Sequence, residues 1–516
     1  MTTHIIGFLF LLATLFPEYA DKDAEPNYIA ASSVVASEKN LAKSDGRGMK
    51  DGSDLETARI GAMTGTIGEF YVEEHFLDAK HLLFDDINDA IVALRSRQVD
   101  YVITAYTTAL LASRHNKDIG LLPKKHINEP AAVAVRKGNY ELVEKMNAVI
   151  HRMKEDGSLE DLIERWLEQD GGDYDGPKNP AGADVPVLKV GVAANREPMC
   201  FVRDNKIVGL DCELIETIAA DIGMRVEYMD MKFSALINAL ESGRAEVIVS
   251  NFTVTEERRE KVLFTVDYFT NPQIMMTLKG ADDMVQVDDA SGLFAKIKKS
   301  FYNNLIRENR WKLIIEGLKA TLIITLFAAL LGTIIGALVC AMRMSRSHLM
   351  NGIARVYIDI MRGTPLLVML MILFYVVFAS TGLSAMVVAI ITFALNMAAY
   401  SSEMFRTSIE SVDPGQKEAG LSMGFTKVRT FIYIILPQAV RKVIPIYKGE
   451  VISLLKMTSI VGYIAVVDLT KASDIIRSRT FDAFFPLIVV AIIYFILSWL
   501  LGVGIDYINQ KVSSAK

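Results

Sequence analysis

From Trp311 onward the chain divides into five apolar stretches with few charges, about 314–342, 353–379, 384–403, 440–467 and 484–508. Each is long enough to cross a hydrocarbon layer of roughly 30 Å as a helix, which takes about 20 residues. No such stretch lies between residues 20 and 310, and 516 residues are too many for one domain. The pattern predicts a water-facing N-terminal part joined to an all-α, five-span membrane part. Near the start, IIGFLFLLATLF followed by PEYA reads as an export signal or an N-terminal anchor within residues 1–20.

Charge orients the spans. Arg343, Arg346 and Arg355 lie around the first loop, and Arg406, Lys417, Lys427, Arg429, Arg441 and Lys442 around the third, whereas the STGLSA loop carries no charge. Positively charged loops stay in the cytoplasm, so the C-terminus is expected inside and everything before Trp311 outside the plasma (inner) membrane. A net charge of −6 argues against a nucleic-acid partner. Cys200, Cys212 and Cys340 make no disulfide framework. Seven scattered histidines and these cysteines form no recognisable nucleophile or metal set, so neither a catalytic residue, a metal nor a cofactor is expected.

The stretch EAGLSMGFTKVRTFIYIILPQ, residues 418–438, interrupts the apolar half with small and basic residues. Glu418, Ala419 and Gly420 open a short helix, Gly424 breaks it, and the run Phe431–Leu436 ends at Pro437. The spacing resembles the coupling loop of ATP-binding-cassette (ABC) importer permeases: E-A-A, three residues, G, nine residues, I, one residue, L-P. Gly420 is the one departure. The resemblance covers almost all of 311–508 and is strongest to polar amino-acid importers, through RGTP (362–365), AYSSEMFR (399–406), GQKEAG (415–420) and LPQAVRKVIP (436–445). It implies that Glu418, Ala419 and Gly424 dock a separate ATPase subunit. It also implies a permease homodimer, because five spans make half a pathway in this family. No GxxxxGK[ST] phosphate loop occurs, so the chain is not itself the motor. A ligand-gated channel with a clamshell receptor domain is the rival reading, but no TVGYG filter is present and a channel has no use for a coupling loop.

The N-terminal part alternates strand-like and helix-like patterns, as α/β lobes do. Residues 187–280 resemble the first lobe of periplasmic amino-acid-binding proteins, and 57–168 the second lobe plus the closing helices. That family runs from lobe one to lobe two and back. Cutting it at the first crossing and joining the old termini through a Gly- and Pro-rich linker, 169–186, gives the order found here. The expected fold is therefore a circularly permuted type II periplasmic-binding-protein clamshell joined to an ABC importer membrane domain.

By the same resemblance, Thr253 and Arg258 of the NFTVTEER motif hold a substrate α-carboxylate, Asn251 stands where the family has glycine, and Phe233 stacks on the ligand. A planar guanidinium suits a carboxylate because it offers two parallel hydrogen bonds. Thr66, Ile67 and Gly68 form a strand-to-helix turn whose N–H groups suit an anion. Two departures concern the substrate. The aspartate that often holds the ligand ammonium falls at Ala105, and an aromatic is replaced by Arg196. A cleft that loses an anion and gains a cation favours an acidic amino acid or another dicarboxylate, with Glu197 or Glu69 as alternative ammonium partners.

Overall fold

The computed structural model describes residues 55–127, 130–168, 171, 174, 185–279, 293–480, 482 and 484–514. The expected signal and most of the expected linker lie outside them. The N-terminal part holds β1 (Arg59–Met63), β2 (Lys80–Phe84), β3 (Tyr101–Ala105), β4 (Ile119–Ile127), β5 (Pro130–Ala131) and β6 (Ala134–Arg136). After the closing helices come β7 (Val187–Val192), β8 (Asn195–Arg196), β9 (Cys200–Arg203), β10 (Lys206–Val208), β11 (Arg225–Asp230), β12 (Val247–Ile248), β13 (Val262–Phe264), β14 (Phe269–Thr270) and β15 (Gln273–Leu278).

Two five-stranded sheets make the two lobes. Lobe two is ordered β2-β1-β3-β15-β4 and lobe one β11-β7-β12-β6-β13. The sheets do not follow the halves of the sequence. Each takes its fourth strand from the other half: β15 runs antiparallel to β3, with Gln273 opposite Ala105, and β6 runs antiparallel to β12 and β13. The two lobe-to-lobe crossings meet where β5 pairs with β14, a two-stranded hinge. The helices Tyr140–Glu155 and Ser158–Glu168 close on lobe one. Their Met146, Ile150 and Trp166 share a core with Leu188 and Val190. Arg165 grips Glu213 through two hydrogen bonds of 2.9 and 2.8 Å, and the Trp166 indole N–H donates to the same carboxylate.

In the membrane part, Trp311–Arg343, Ala385–Glu410 and Phe485–Lys511 are each long and apolar enough to span. The expected second and fourth spans are not single straight helices, so the count reaches five only if each bent pair is one span. The helix His348–Gly363 stops before Pro365 and resumes as Leu366–Val377 at an angle of 108°. Proline lacks an N–H and pushes the residue before it out of the helical region, and Thr364 is extended accordingly (φ −104°, ψ 131°). The other pair, Lys427–Ile464 and Leu469–Thr480, bends by 55° beyond Ala465, whose φ is +61°.

Close packing of the first and third long helices depends on glycine. A Cβ on Gly332 would lie 2.7 Å from the Met397 side chain, and one on Gly336 would lie 2.8 Å from Ser401 Cβ and 3.0 Å from the Ala398 carbonyl. Without a hydrophobic driving force between helices in lipid, such small-residue contacts supply the packing. The opposite face of the same helix presents Leu326, Leu330, Ile334 and Leu338 outward, a stripe suited to hydrocarbon.

The clamshell sits on one end of this bundle. Arg244 of lobe one donates to the carbonyls of Phe374 (3.1 Å) and Phe378 at the C-terminal end of one helical segment, and to that of Leu383 (2.7 Å) in the loop before the next helix. From Leu383 the 26-residue helix Ala385–Glu410 leads away for about 39 Å at 1.5 Å per residue. The segment 418–438 therefore lies at the opposite end from the clamshell.

Candidate functional site

Lobe one contributes an aromatic ring with two guanidinium groups close to it. Phe233 opens a short 3-10 turn and is buried. Arg196, on β8, places its guanidinium carbon 4.8 Å from the centre of that ring, and Arg258 lies 5.8 Å from it and 4.2 Å from the centre of Phe252. A ring face attracts cations, which offsets part of the repulsion between them. Arg258 belongs to the helix Glu256–Lys261, whose Thr255 cap accepts from the Arg258 N–H at 3.2 Å. Arg196 donates to the Ser250 carbonyl at 3.1 Å.

Asn251 follows with φ +48°, a conformation that glycine and asparagine tolerate best, which accounts for the residue found where the resemblance expects glycine. Its N–H donates to the Asp211 carboxylate, which also accepts from the Tyr268 hydroxyl at 2.7 Å. Complete burial pushes the Asp211 carboxyl up to about 6, against the pull of those two donors and of Arg196.

The Thr66–Gly68 turn faces this group from lobe two. Arg258 crosses the cleft to donate to the Gly65 carbonyl at 2.7 Å, and its other terminal nitrogen donates to the Thr253 carbonyl at 2.7 Å. Thr253 thus meets Arg258 through its backbone. Thr66 caps the helix Ile67–His75 in extended conformation, its hydroxyl donating to the Met63 carbonyl at 2.6 Å. Gly68 packs so closely on β3 that an added Cβ would stand 3.0 Å from Ile103. Between the closed lobes remains a cavity of about 10 Å³, lined by Arg196 together with Met63, Thr66, Thr104, Thr108 and Gln273, among others. A larger cavity of about 300 Å³ lies outside the cleft, between lobe two and Arg477 and Phe484 of the membrane part.

Both acids offered as ammonium partners are engaged elsewhere. Glu69 folds back to accept from the Gly65 N–H at 2.5 Å, and Glu197 pairs with Arg479. Sequence reasoning missed Thr104 and Gln273. The signal for a strand at Gln273–Leu278 was present in its apolar run, but nothing local says that it joins the other lobe's sheet.

At the far end of the bundle, Asp413 caps the helix Pro414–Ser422, accepting from the Gly415 N–H at 2.7 Å. Glu418 and Ala419 are exposed on it. Gly420, the one departure from the E-A-A pattern, is buried, and a Cβ there would lie 2.7 Å from both Thr430 and Ile434. Gly424 follows the end of this helix with φ +86°. Met423, Val428 and Tyr433 project outward beside it.

Residues 84–169 and 188–394 match the profile of bacterial extracellular solute-binding proteins, family 3. Residues 328–514 match the binding-protein-dependent transport system inner membrane component. The first match covers more than half of the chain. The chain is a binding-protein-dependent transport permease with its own family 3 solute-binding domain. The solute-binding match runs past β15, the last clamshell strand, into helices that form the membrane part of this permease. Similar proteins include the putative glutamine transport system permease protein GlnP of Rickettsia typhi, 34% identical over 201 residues, or 39% of this permease and 92% of the relative. The L-cystine transport system permease protein TcyB of Bacillus subtilis is 36% identical over 211 residues, 40% of this permease and 90% of the relative. Among solved structures, the crystal structure of an amino acid ABC transporter with histidines is 33% identical, covers 43% of this permease and 98% of that chain, and has a TM-score of 0.37. The permease is thus a multi-pass inner-membrane protein and a transporter subunit, not an enzyme, and ATP hydrolysis belongs to a separate ABC component. These findings give the ligand-gated channel no support.

Proposed function

We propose that this permease captures an acidic amino acid or another small dicarboxylate outside the membrane, in one permuted clamshell, and passes it through its own helices. A separate ATPase docks on Glu418, Ala419 and Gly424 at the cytoplasmic end, and two copies of the chain complete the pathway. The observation that carries the substrate reading is the pair of buried arginines, Arg196 and Arg258, with their guanidinium carbons 4.8 and 5.8 Å from the centre of the Phe233 ring. The engagement of Glu69 and Glu197 with other partners takes both away from a ligand ammonium, which supports the acid over a neutral ligand. Relatives named for glutamine and L-cystine transport support an amino acid as cargo. The exchange of β6 and β15 between the sheets, with a single hinge, supports one clamshell over two half domains.

The test is a thermal-shift screen of the full-length protein against the twenty amino acids and small dicarboxylates. A ligand at roughly 100 times its Kd stabilises by about 2.7 kcal/mol. Arg258→Ala should abolish the shift for every ligand, since truncating one partner of a buried charged pair costs about 2–5 kcal/mol. Arg196→Ala should weaken L-glutamate and L-aspartate by a similar margin and spare their amides, because only the second carboxylate needs that cation. Preference for a neutral or basic amino acid, with Arg196→Ala silent, would overturn the acidic-ligand reading.

A further inference from the structure

The helix Leu469–Thr480 carries Lys471, Arg477 and Arg479, all three buried. Buried cations require partners, because an uncompensated buried charge is strongly unfavourable. Here each has a partner in the clamshell. Lys471 Nζ lies 3.1 Å from Asp230 Oδ1, Arg477 pairs with Asp89, and Arg479 pairs with Glu197. Arg477 and Arg479 also meet Asp474 (3.3 Å) and Glu308 (3.2 Å) within the membrane part.

Two of these clamshell acids are built into the turn that bears Arg196. Glu197 is the next residue. Asp230 Oδ1, the oxygen facing Lys471, also accepts the Ala194 N–H at 2.9 Å. Asn195 donates to Asp86 of lobe two, and the Arg479 guanidinium lies 4.4 Å from the centre of Phe201, on the strand after the turn. Every residue from Ala194 to Glu197 is therefore tied to a lobe or to the membrane helix.

We propose that the helix Leu469–Thr480 is a lever on the ligand site. Lys471 and Arg479 position Arg196 through Asp230 and Glu197, so displacement of the helix during transport withdraws Arg196 from the substrate carboxylate. The proposal rests on the reading of Arg196 as substrate-facing. An attachment that merely held the clamshell in place would not need this turn. Arg244 does that work on backbone carbonyls of 374–383.

The experiment uses the full-length protein in detergent micelles, with equilibrium binding of radiolabelled L-glutamate and L-glutamine and amide hydrogen exchange over residues 193–203. Arg479→Gln and Lys471→Met are expected to weaken L-glutamate at least tenfold, to shrink its advantage over L-glutamine, and to speed exchange at 194–200. Arg479→Lys keeps a cation beside Glu197 and should recover most of the affinity and the discrimination. Lys471→Met serves independently should Arg479→Gln fail to fold. Arg152→Gln removes an exposed pair with Asp221 elsewhere on lobe one and should change neither readout. Wild-type L-glutamate affinity together with wild-type exchange at 194–200 in both Arg479→Gln and Lys471→Met would overturn the lever. If the unaltered protein binds L-glutamate no better than L-glutamine, the acidic-ligand reading falls instead, and exchange at 194–200 alone decides the lever.

Discussion

Glu216 lies buried beneath two tyrosines, accepting from the hydroxyls of Tyr174 and Tyr228. Burial pushes its carboxyl from an ordinary 4.5 up to about 7, against those hydrogen bonds. An unfolded chain releases this proton near pH 4.5 while the folded one keeps it until about pH 7. The contribution to stability is therefore fully present below pH 4.5, falls as the pH rises through 7, and amounts to roughly 3 kcal/mol. Heat unfolding of the clamshell at pH 5 and pH 8 checks this. Glu216→Gln should remove that part of the pH dependence, and an unchanged difference between the two pH values would refute the assignment. At this scale the sequence was most legible where a motif is local. Arg258, Thr253 and Asn251 fall within eight consecutive residues, and the structure brings Arg258 and Thr253 into contact. The partners of Arg196 and Glu197 were illegible, since they stand 54 and 282 positions away.

Helix lengths were legible for the three spans with unbroken apolar runs. The two bent pairs were not, because hydropathy counts composition and takes no account of what Thr364–Pro365 does to direction. Tight packing of Trp311–Arg343 on Ala385–Glu410 predicts that Gly336→Leu drives the helices apart. Overpacking of this kind typically costs about 1–3 kcal/mol, so the purified protein should melt earlier and lose uptake. A melting temperature within error of the parent would contradict the close approach. In the coupling segment, Gly424 at φ +86° strains any residue with a Cβ. Gly424→Val, or Glu418→Lys on the exposed helix before it, should abolish uptake and substrate-stimulated ATP hydrolysis while ligand binding persists. Binding needs only the clamshell, whereas transport needs the mechanical joint, so normal uptake by both variants would sink the role given to this loop.

Over the whole molecule, the clamshell and the coupling segment occupy opposite ends of one helix bundle, as an importer that takes substrate on one side and work on the other requires. Reporter fusions after Gly382 should read external and fusions after Gly415 cytoplasmic. An external reading at Gly415 would put the ATPase dock on the wrong side. The sequence by itself determined the two-part architecture, the runs of residues able to span, and the local motifs at 251–258 and 418–437, because hydrophobic length, charge bias and short-range spacing are encoded in neighbouring residues. Only the tertiary structure decided that β6 and β15 exchange sheets, that Arg244 binds the backbone carbonyls of Phe374, Phe378 and Leu383, and that Lys471 and Arg479 reach the turn bearing Arg196. Those contacts join residues more than a hundred positions apart, and a buried cation's own sequence neighbourhood carries no mark of the distant acid that compensates it.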